Sequence, residues 1–436
     1  MMDDLRKRNV KKGINKTIFY ILILFVAFII VTPIYFLVSI SFMSDQEAYD
    51  WPFPLGIDFF GNFSVQPAEE EGEYIVSFYS NTQGKYTTLI QGKKFDEISD
   101  FLKDKTNCDV PVEKLREAAE NVDRLVSQNS EKISVLTAEL ASSNKTLLKV
   151  NQDIVKAKRQ LKLVEGKESM KSIEEGLIAN LAQYEKTKTE AETEIERLEK
   201  EIEPYNSVRF RVTKDMFANY VTFFKVTRDA LPALFRSIQV ALLTVLISLT
   251  IGGTAGYAFA RYRFKGKNML KLSTLFVRMF PGIAIAMPMV IILAEMGFYD
   301  QPLGLSLVYS VGQIGLTIWI TASIFMGIPV ELEEAAQVFG RSKFGAFIYV
   351  TLPLALPGLA ASAMYAFIGS WAETAQAIVL TQFNPTFPVV VYQTMVGAKG
   401  MVNLIAAGGV AMALPAVTFT ILIRRYMLQM WGGVKV

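Results

Sequence analysis

The sequence predicts an all-α polytopic membrane protein with six transmembrane helices. After the first helix it places an extracytoplasmic insert with a small α+β part and a long antiparallel coiled-coil hairpin. Three observations predict this. The chain has 436 residues, 51% hydrophobic and 20% charged, and charge concentrates between about residue 65 and 230 while apolar runs lie on either side. Those runs are long enough to cross a hydrocarbon core of ~30 Å at the helical rise. Inside the charged stretch, apolar residues recur with spacing three and four over many heptads.

Composition also excludes chemistry. There is no histidine, and Cys108 is the only cysteine. A His/Cys metal site, a Ser/His/Asp triad, a Cys/His dyad and an intrachain disulfide are therefore ruled out. No GxxxxGK[ST] phosphate loop occurs, so if ATP drives this protein another chain binds it, and no cofactor is expected on this one. The net charge of +3 is too small to argue for nucleic acid.

In chain order, Arg6, Lys7, Arg8, Lys11, Lys12 and Lys16 precede an apolar run from Ile18 to Ile40. The run is too long for a signal peptide and lacks a small-residue cleavage site, so residues 1–42 read as a basic cytoplasmic N-terminus and a retained first span. Residues 43–231 read as the insert. Trp51-Pro52-Phe53-Pro54 suggests an interfacial turn. Residues 74–79 and 86–90 alternate as a hairpin around Asn81-Thr82-Gln83-Gly84, and Phe95 to Leu102 suggests a short helix. Residues 112–203 carry the heptads, from Leu115, Ala119, Val122 and Val126 to Leu198 and Ile202. Asn129 and Ser143 interrupt the seam, and a break at Val164-Glu165-Gly166-Lys167 makes an antiparallel hairpin the simplest arrangement. Its second arm would reach ~50 Å. A docking arm for a surface partner, a spacer, and a parallel intermolecular coiled coil all fit this pattern.

Residues 232–436 read as a five-span core, with apolar runs near 233–260, 268–296, 304–327, 354–381 and 403–423. Arg261, Arg263, Lys265, Lys267 and Lys271 mark a cytoplasmic loop. Phe298-Tyr299-Asp300-Gln301 and Asn384-Pro385-Thr386 carry no Lys or Arg and fall outside, while Arg424, Arg425 and Lys435 fall inside. Six spans with both termini in the cytoplasm satisfy every loop.

Between the fourth and fifth spans lies the one charged stretch of the apolar half, residues 331–353. Pro329 suits the first turn of a helix, and Glu331, Glu333 and Glu334 complement its dipole. Gly340 lets the chain reverse, and a second short helix follows from Ser342. The product is a helix-turn-helix with a projecting knuckle, facing the cytoplasm.

The spacing Glu334-Ala335-Ala336, three residues, Gly340, nine residues, Val350, one residue, Leu352-Pro353 resembles the EAA loop of the membrane subunits of binding-protein-dependent ABC importers. Other stretches are similar to the MalG-like carbohydrate permeases: Thr32-Pro33-Ile34, Asn219-Tyr220, Ala255-Gly256-Tyr257-Ala258-Phe259-Ala260-Arg261, Phe264-Lys265-Gly266-Lys267, Met279-Phe280-Pro281 and Gly432-Gly433-Val434-Lys435. The resemblance covers residues 17–42 and about 215–436, and the insert has no counterpart in it. It implies the type I ABC importer permease fold and an ATPase-coupling loop at Glu334, Ala335, Ala336, Gly340, Val350, Leu352 and Pro353. It also implies a second homologous permease, two cytoplasmic ATPase subunits carrying ATP-Mg, an extracytoplasmic solute-binding protein and a lipid surround in a bacterial cytoplasmic membrane. The chain departs from the family at Phe339, where an acidic residue is common, and at Trp371-Ala372-Glu373, where Trp-Asn-Glu is frequent.

Polar groups within the spans are candidates for a sugar pathway: Gln313, Trp371, Glu373 and Gln376. Interhelical packing is the competing reading of these residues. Arg278 lies where it can snorkel. Two other functions fit parts of the sequence: an importer permease for a non-sugar solute, and a mechanotransmitting membrane protein that acts through its coiled-coil hairpin. The latter type has four spans and lacks an EAA loop.

Overall fold

The computed structural model describes residues 2–50, 56–164, 171–397 and 401–431. The turn at Trp51-Pro52-Phe53-Pro54, the Glu165-Gly166-Lys167 break and the Gly432–Lys435 segment lie outside the described residues. The chain forms two units, Met43–Met216 on the one hand and Met1–Phe42 with Phe217–Val436 on the other.

The insert unit is built on a four-stranded antiparallel sheet in the order β3-β2-β1-β4, with β1 Phe60–Pro67, β2 Tyr74–Ser80, β3 Lys85–Gly92 and β4 Val208–Thr213. Alternation puts Phe63 and Val65 of β1 and Val76 and Phe78 of β2 on one buried face. Phe63 pairs with Phe78 in register, their rings 5.4 Å apart. Ile98 and Leu102 from the helix Phe95–Thr106 cover that face, as do Leu115, Ala118 and Val122 from the helix Val112–Gln128.

The first heptads of the predicted coiled coil therefore pack on the sheet. The helix ends at Gln128, where the Asn129 side chain donates back to the Leu125 carbonyl, and a new helix starts at Ser130. Beyond that break, helices Ser130–Val164 and Lys171–Asn206 run antiparallel. Lys132 meets the Tyr205 hydroxyl at 2.6 Å, Lys158 lies 3.5 Å from Glu185, and Leu136 packs with Leu198 and Ile202. β4 then brings the chain back beside β1. Where the unit closes, Lys214 donates its N–H to the Phe59 carbonyl, and its ammonium is buried against the Glu47 carboxylate.

In the membrane unit, five described helices are long and apolar enough to span a bilayer: Ile18–Ser41, Ala230–Arg261, Pro302–Gly327, Lys343–Trp371 and Val402–Tyr426. A sixth span exists only if Lys267–Met279 and Gly282–Glu295 are counted together, and they meet at 91°. The sequence predicts one continuous run over 268–296. The bend falls at Pro281, which cannot donate a helical hydrogen bond and disfavours helix at the residue before it. The fourth span, Pro302–Gly327, is the most buried. It packs closely on the second because a Cβ at Gly252 would lie 2.9 Å from Thr317, and one at Gly256 would lie 2.0 Å from the Thr321 hydroxyl.

The fifth span also differs from its predicted bounds of 354–381. It begins at Lys343 and runs through a π-helical stretch, Phe347–Thr351, to Trp371. The wide turn precedes Pro353, so its missing N–H does not break the helix. A separate short helix, Ala375–Leu380, follows. Residues 217–231, grouped with the insert by sequence, belong to this unit. Asn219 donates to the Ser41 carbonyl and accepts from Asn403, and Phe223 is buried against Phe387.

Candidate functional site

The knuckle is made by ordinary helix-terminus chemistry. The helix Glu331–Val338 carries its three glutamates in the first turn. It ends in a Schellman turn: Arg341 N–H donates to the Ala336 carbonyl and Gly340 N–H to the Gln337 carbonyl. Gly340 has φ +86°, which an L side chain adopts at a cost. Ser342 then caps the next helix by accepting the Gly345 N–H at 3.0 Å.

One glutamate anchors the knuckle. Glu333 is buried and accepts from the Tyr257 hydroxyl at 2.8 Å and from Arg261 Nε at 2.7 Å. Both donors sit in the last turns of the second span. Burial works against the charged form of Glu333, but bonds from neighbouring hydroxyls and from Arg261 outweigh it, so its carboxyl is held below the usual carboxylate range. Sequence reasoning placed Glu333 among the first-turn acids and missed this role.

With Glu333 turned inward, Glu334 and Ala335 are exposed and Ala336 is half-buried. Val338 is 84% exposed and Phe339 87% exposed, so the tip is an apolar pair held out from the protein. Val350 and Leu352 lie half-buried at the start of the fifth span, and Pro353 is exposed there. They support the knuckle from behind and do not form its tip.

The candidate pathway residues divide. Gln313, Glu373 and Gln376 line one cavity of about 200 Å³ with Arg278, Tyr309 and Phe280. Glycines admit the two amides: a Cβ at Gly369 would lie 2.4 Å from Gln313 Nε2, and one at Gly282 would lie 2.1 Å from Gln376 Nε2. Glu373 accepts the Gln376 N–H at 3.1 Å and its carbonyl accepts from Tyr309. Trp371 does not join them. It is buried, stacks on Phe367 at 5.9 Å and donates its indole N–H to the Met412 carbonyl.

Contacts also sort the loops of this unit into two ends. Arg261 meets the knuckle at one end. At the other, Asp300 accepts from the backbone of 382–384, and Arg236 donates to Asn384 and Pro385.

Apolar spans, a bent helix pair and a small polar cavity between them describe a multi-pass membrane protein. Comparison with known proteins narrows the class. Residues 248–429 match the family described as binding-protein-dependent transport system inner membrane component. The chain is 34% identical over 198 residues to the trehalose transport system permease protein SugB of Mycobacterium tuberculosis, covering 44% of this chain and 72% of that protein. It is 33% identical over 211 residues to the maltose/maltodextrin transport system permease protein MalG of Vibrio vulnificus, covering 46% and 71%. A bacterial ABC transporter involved in alginate import superposes with a TM-score of 0.41 at 22% identity, over 49% of this chain and 80% of that one. The chain belongs to the binding-protein-dependent transport system inner membrane components, and the resemblance drawn from the EAA spacing is borne out. It is an inner-membrane ABC importer permease.

Proposed function

We propose that this permease carries a sugar or oligosaccharide and forms half of the translocation pathway beside a second, homologous permease. An extracytoplasmic solute-binding protein delivers the solute, and two cytoplasmic ATPase subunits, holding ATP-Mg, drive the cycle. The names of the relatives, trehalose and maltose permeases, support the sugar class. The cavity lined by Gln313, Glu373 and Gln376 offers the amides and carboxylate that hydroxyl-rich solutes need.

Coupling runs through the knuckle. The observation that carries this reading is the outward-held pair Val338–Phe339, more than four-fifths exposed, on a turn fixed by Gly340 and stapled by Glu333. Such exposed apolar side chains on a rigid turn are suited to burial in a partner's cleft. Glu334, beside Ala335 and Ala336, supplies a carboxylate for a basic partner group. Basic residues gather at the same end of the unit, which supports a cytoplasmic position for the knuckle and both termini. The insert then lies outside, since the first span's far end and Asn219 sit with Asn403, at the start of the sixth span.

Co-expression with a sugar-importer ATPase and partner permease tests this. An assembled complex that takes up labelled trehalose or maltose with ATP, and loses uptake when Phe339 and Val338 are replaced by aspartate, supports it. Uptake independent of any ATPase subunit contradicts it.

A further inference from the structure

Asp300 stands in the turn before the fourth span, with φ +58°. Its carboxylate is fully used by a segment more than eighty residues away. Oδ1 accepts the Gln382 N–H at 3.0 Å and the Asn384 N–H at 3.1 Å, and Oδ2 accepts the Phe383 N–H at 3.0 Å and the Asn384 side-chain amide at 3.1 Å. Three consecutive backbone N–H groups thus converge on one anion, the arrangement by which loops bind phosphate or carboxylate, and here the chain supplies the anion itself. Arg236, in the second span, holds the far side of the same loop through the Asn384 side-chain oxygen at 2.8 Å and the Pro385 carbonyl at 2.9 Å.

The clamped loop directly follows the helix Ala375–Leu380. Six residues are too few to hold a helix by themselves; buried Ala377 and Leu380 pack one face of this one, and its orientation is set by what grips its ends. At its start Glu373 accepts the Gln376 N–H, and Gln376 lies over Gly282 in the cavity. At its finish the grip is Asp300. We propose that Asp300 is a positioning residue for the pathway: by clamping 382–384 it fixes the short helix, and through it places Gln376 and Glu373 against Gln313 in the cavity. This rests on the transport reading of that cavity.

Asp300→Asn isolates the carboxylate. Asparagine accepts positive φ as readily as aspartate, so the turn is kept. Its NH2 group, however, must face two donors that the missing oxygen accepted. In the assembled complex, wild-type amides 382–384 should show strong protection from hydrogen exchange. Asp300→Asn should speed exchange across 376–386 by about tenfold or more, a tenfold change being ~1.4 kcal/mol, while peptides over 331–346 keep their rate. With trehalose or maltose as probe in proteoliposomes, the variant should raise KM more than it lowers the maximal rate, a split that simple loss of folded protein does not produce. Wild-type amides 382–384 exchanging like an open loop would overturn the proposal, as would a variant with unchanged exchange or unchanged KM. If the variant does not assemble, the wild-type exchange decides. Failure of the wild type to transport any solute would instead strike the transport reading and leave the clamp to be judged on exchange.

Discussion

Arg261 and Glu333 form a buried ion pair, with the guanidinium Nε 2.7 Å from the carboxylate, that ties the last turn of the second span to the first turn of the knuckle. The pair, with the Tyr257 hydroxyl on the second carboxylate oxygen, fixes the base of the projecting turn to the second span.

Removing the cation alone should be costly. Arg261→Ala leaves a buried carboxylate without its charge partner, and such half-pairs lose about 3–5 kcal/mol. A fall in melting temperature of the purified permease, with uptake lost at temperatures where the wild type works, is the expected outcome. Arg261→Lys should recover part of the stability. It cannot recover the fork geometry.

The pH dependence has a definite sign. The folded-state carboxyl of Glu333 lies below its ordinary value of ~4.3, so its stabilisation is present above that pH and is lost as pH falls through the lowered value. The melting-temperature gap between wild type and Glu333→Gln should therefore be widest near neutrality and narrow as pH falls through the lowered value. A gap that widened on acidification would contradict the charged pair.

At Gly340 the cost is in the backbone alone, since φ is +86° and a Cβ there would meet nothing within 4 Å. Gly340→Ala should cost about 1–2 kcal/mol locally, leave membrane insertion intact and reduce uptake more than ATP hydrolysis. Gly340→Asn should retain more uptake than Gly340→Ala, because asparagine tolerates this region. Gly340→Asp should uncouple most strongly, with a charge added at the docking tip. Parallel uptake and ATPase assays separate these outcomes.

Trp371 and Gln313 should fail in different ways. Trp371 is buried against Phe367 and Met412, so Trp371→Ala should lose about 3–5 kcal/mol of stability and Trp371→Phe much less. Gln313→Ala, at the cavity wall, should leave the melting temperature nearly unchanged and raise KM for the transported sugar. Thermal melts beside uptake kinetics distinguish packing from pathway.

The spans and the knuckle were legible because their signals are local. Glu331 to Gly340 is a charged stretch between two apolar runs, and a glycine three residues past Gln337 can be read as a helix end. The broken third span was not legible. Hydropathy over 268–296 is the same for a straight helix as for one turned at Pro281. Nor was β4, whose partner β1 lies over 140 residues earlier, so nothing near Val208–Thr213 announces the pairing. The heptads at Leu115–Val122 were readable as an amphipathic helix, but a sheet and a partner helix bury the same stripe. Trp371 and Glu373 stood together in sequence, yet the span ends at Trp371, which turns the two side chains to different neighbours.

The insert offers a simpler test of its own architecture. Leu198 is 1% exposed at the base of the antiparallel pair, packed with Leu136 and Ile202. Leu198→Ala should cost about 2–5 kcal/mol and raise proteolysis within 130–206 without changing protection of the sheet core around Phe63.

The most direct measurement of coupling is a photo-crosslinking amino acid at Phe339 in the assembled transporter within native membranes. A single major adduct with the ATPase-bearing chain is expected, stronger with nucleotide bound and absent when that chain is omitted. Adducts with lipid alone, or labelling of position 339 by a reagent confined to the outer face, would contradict it.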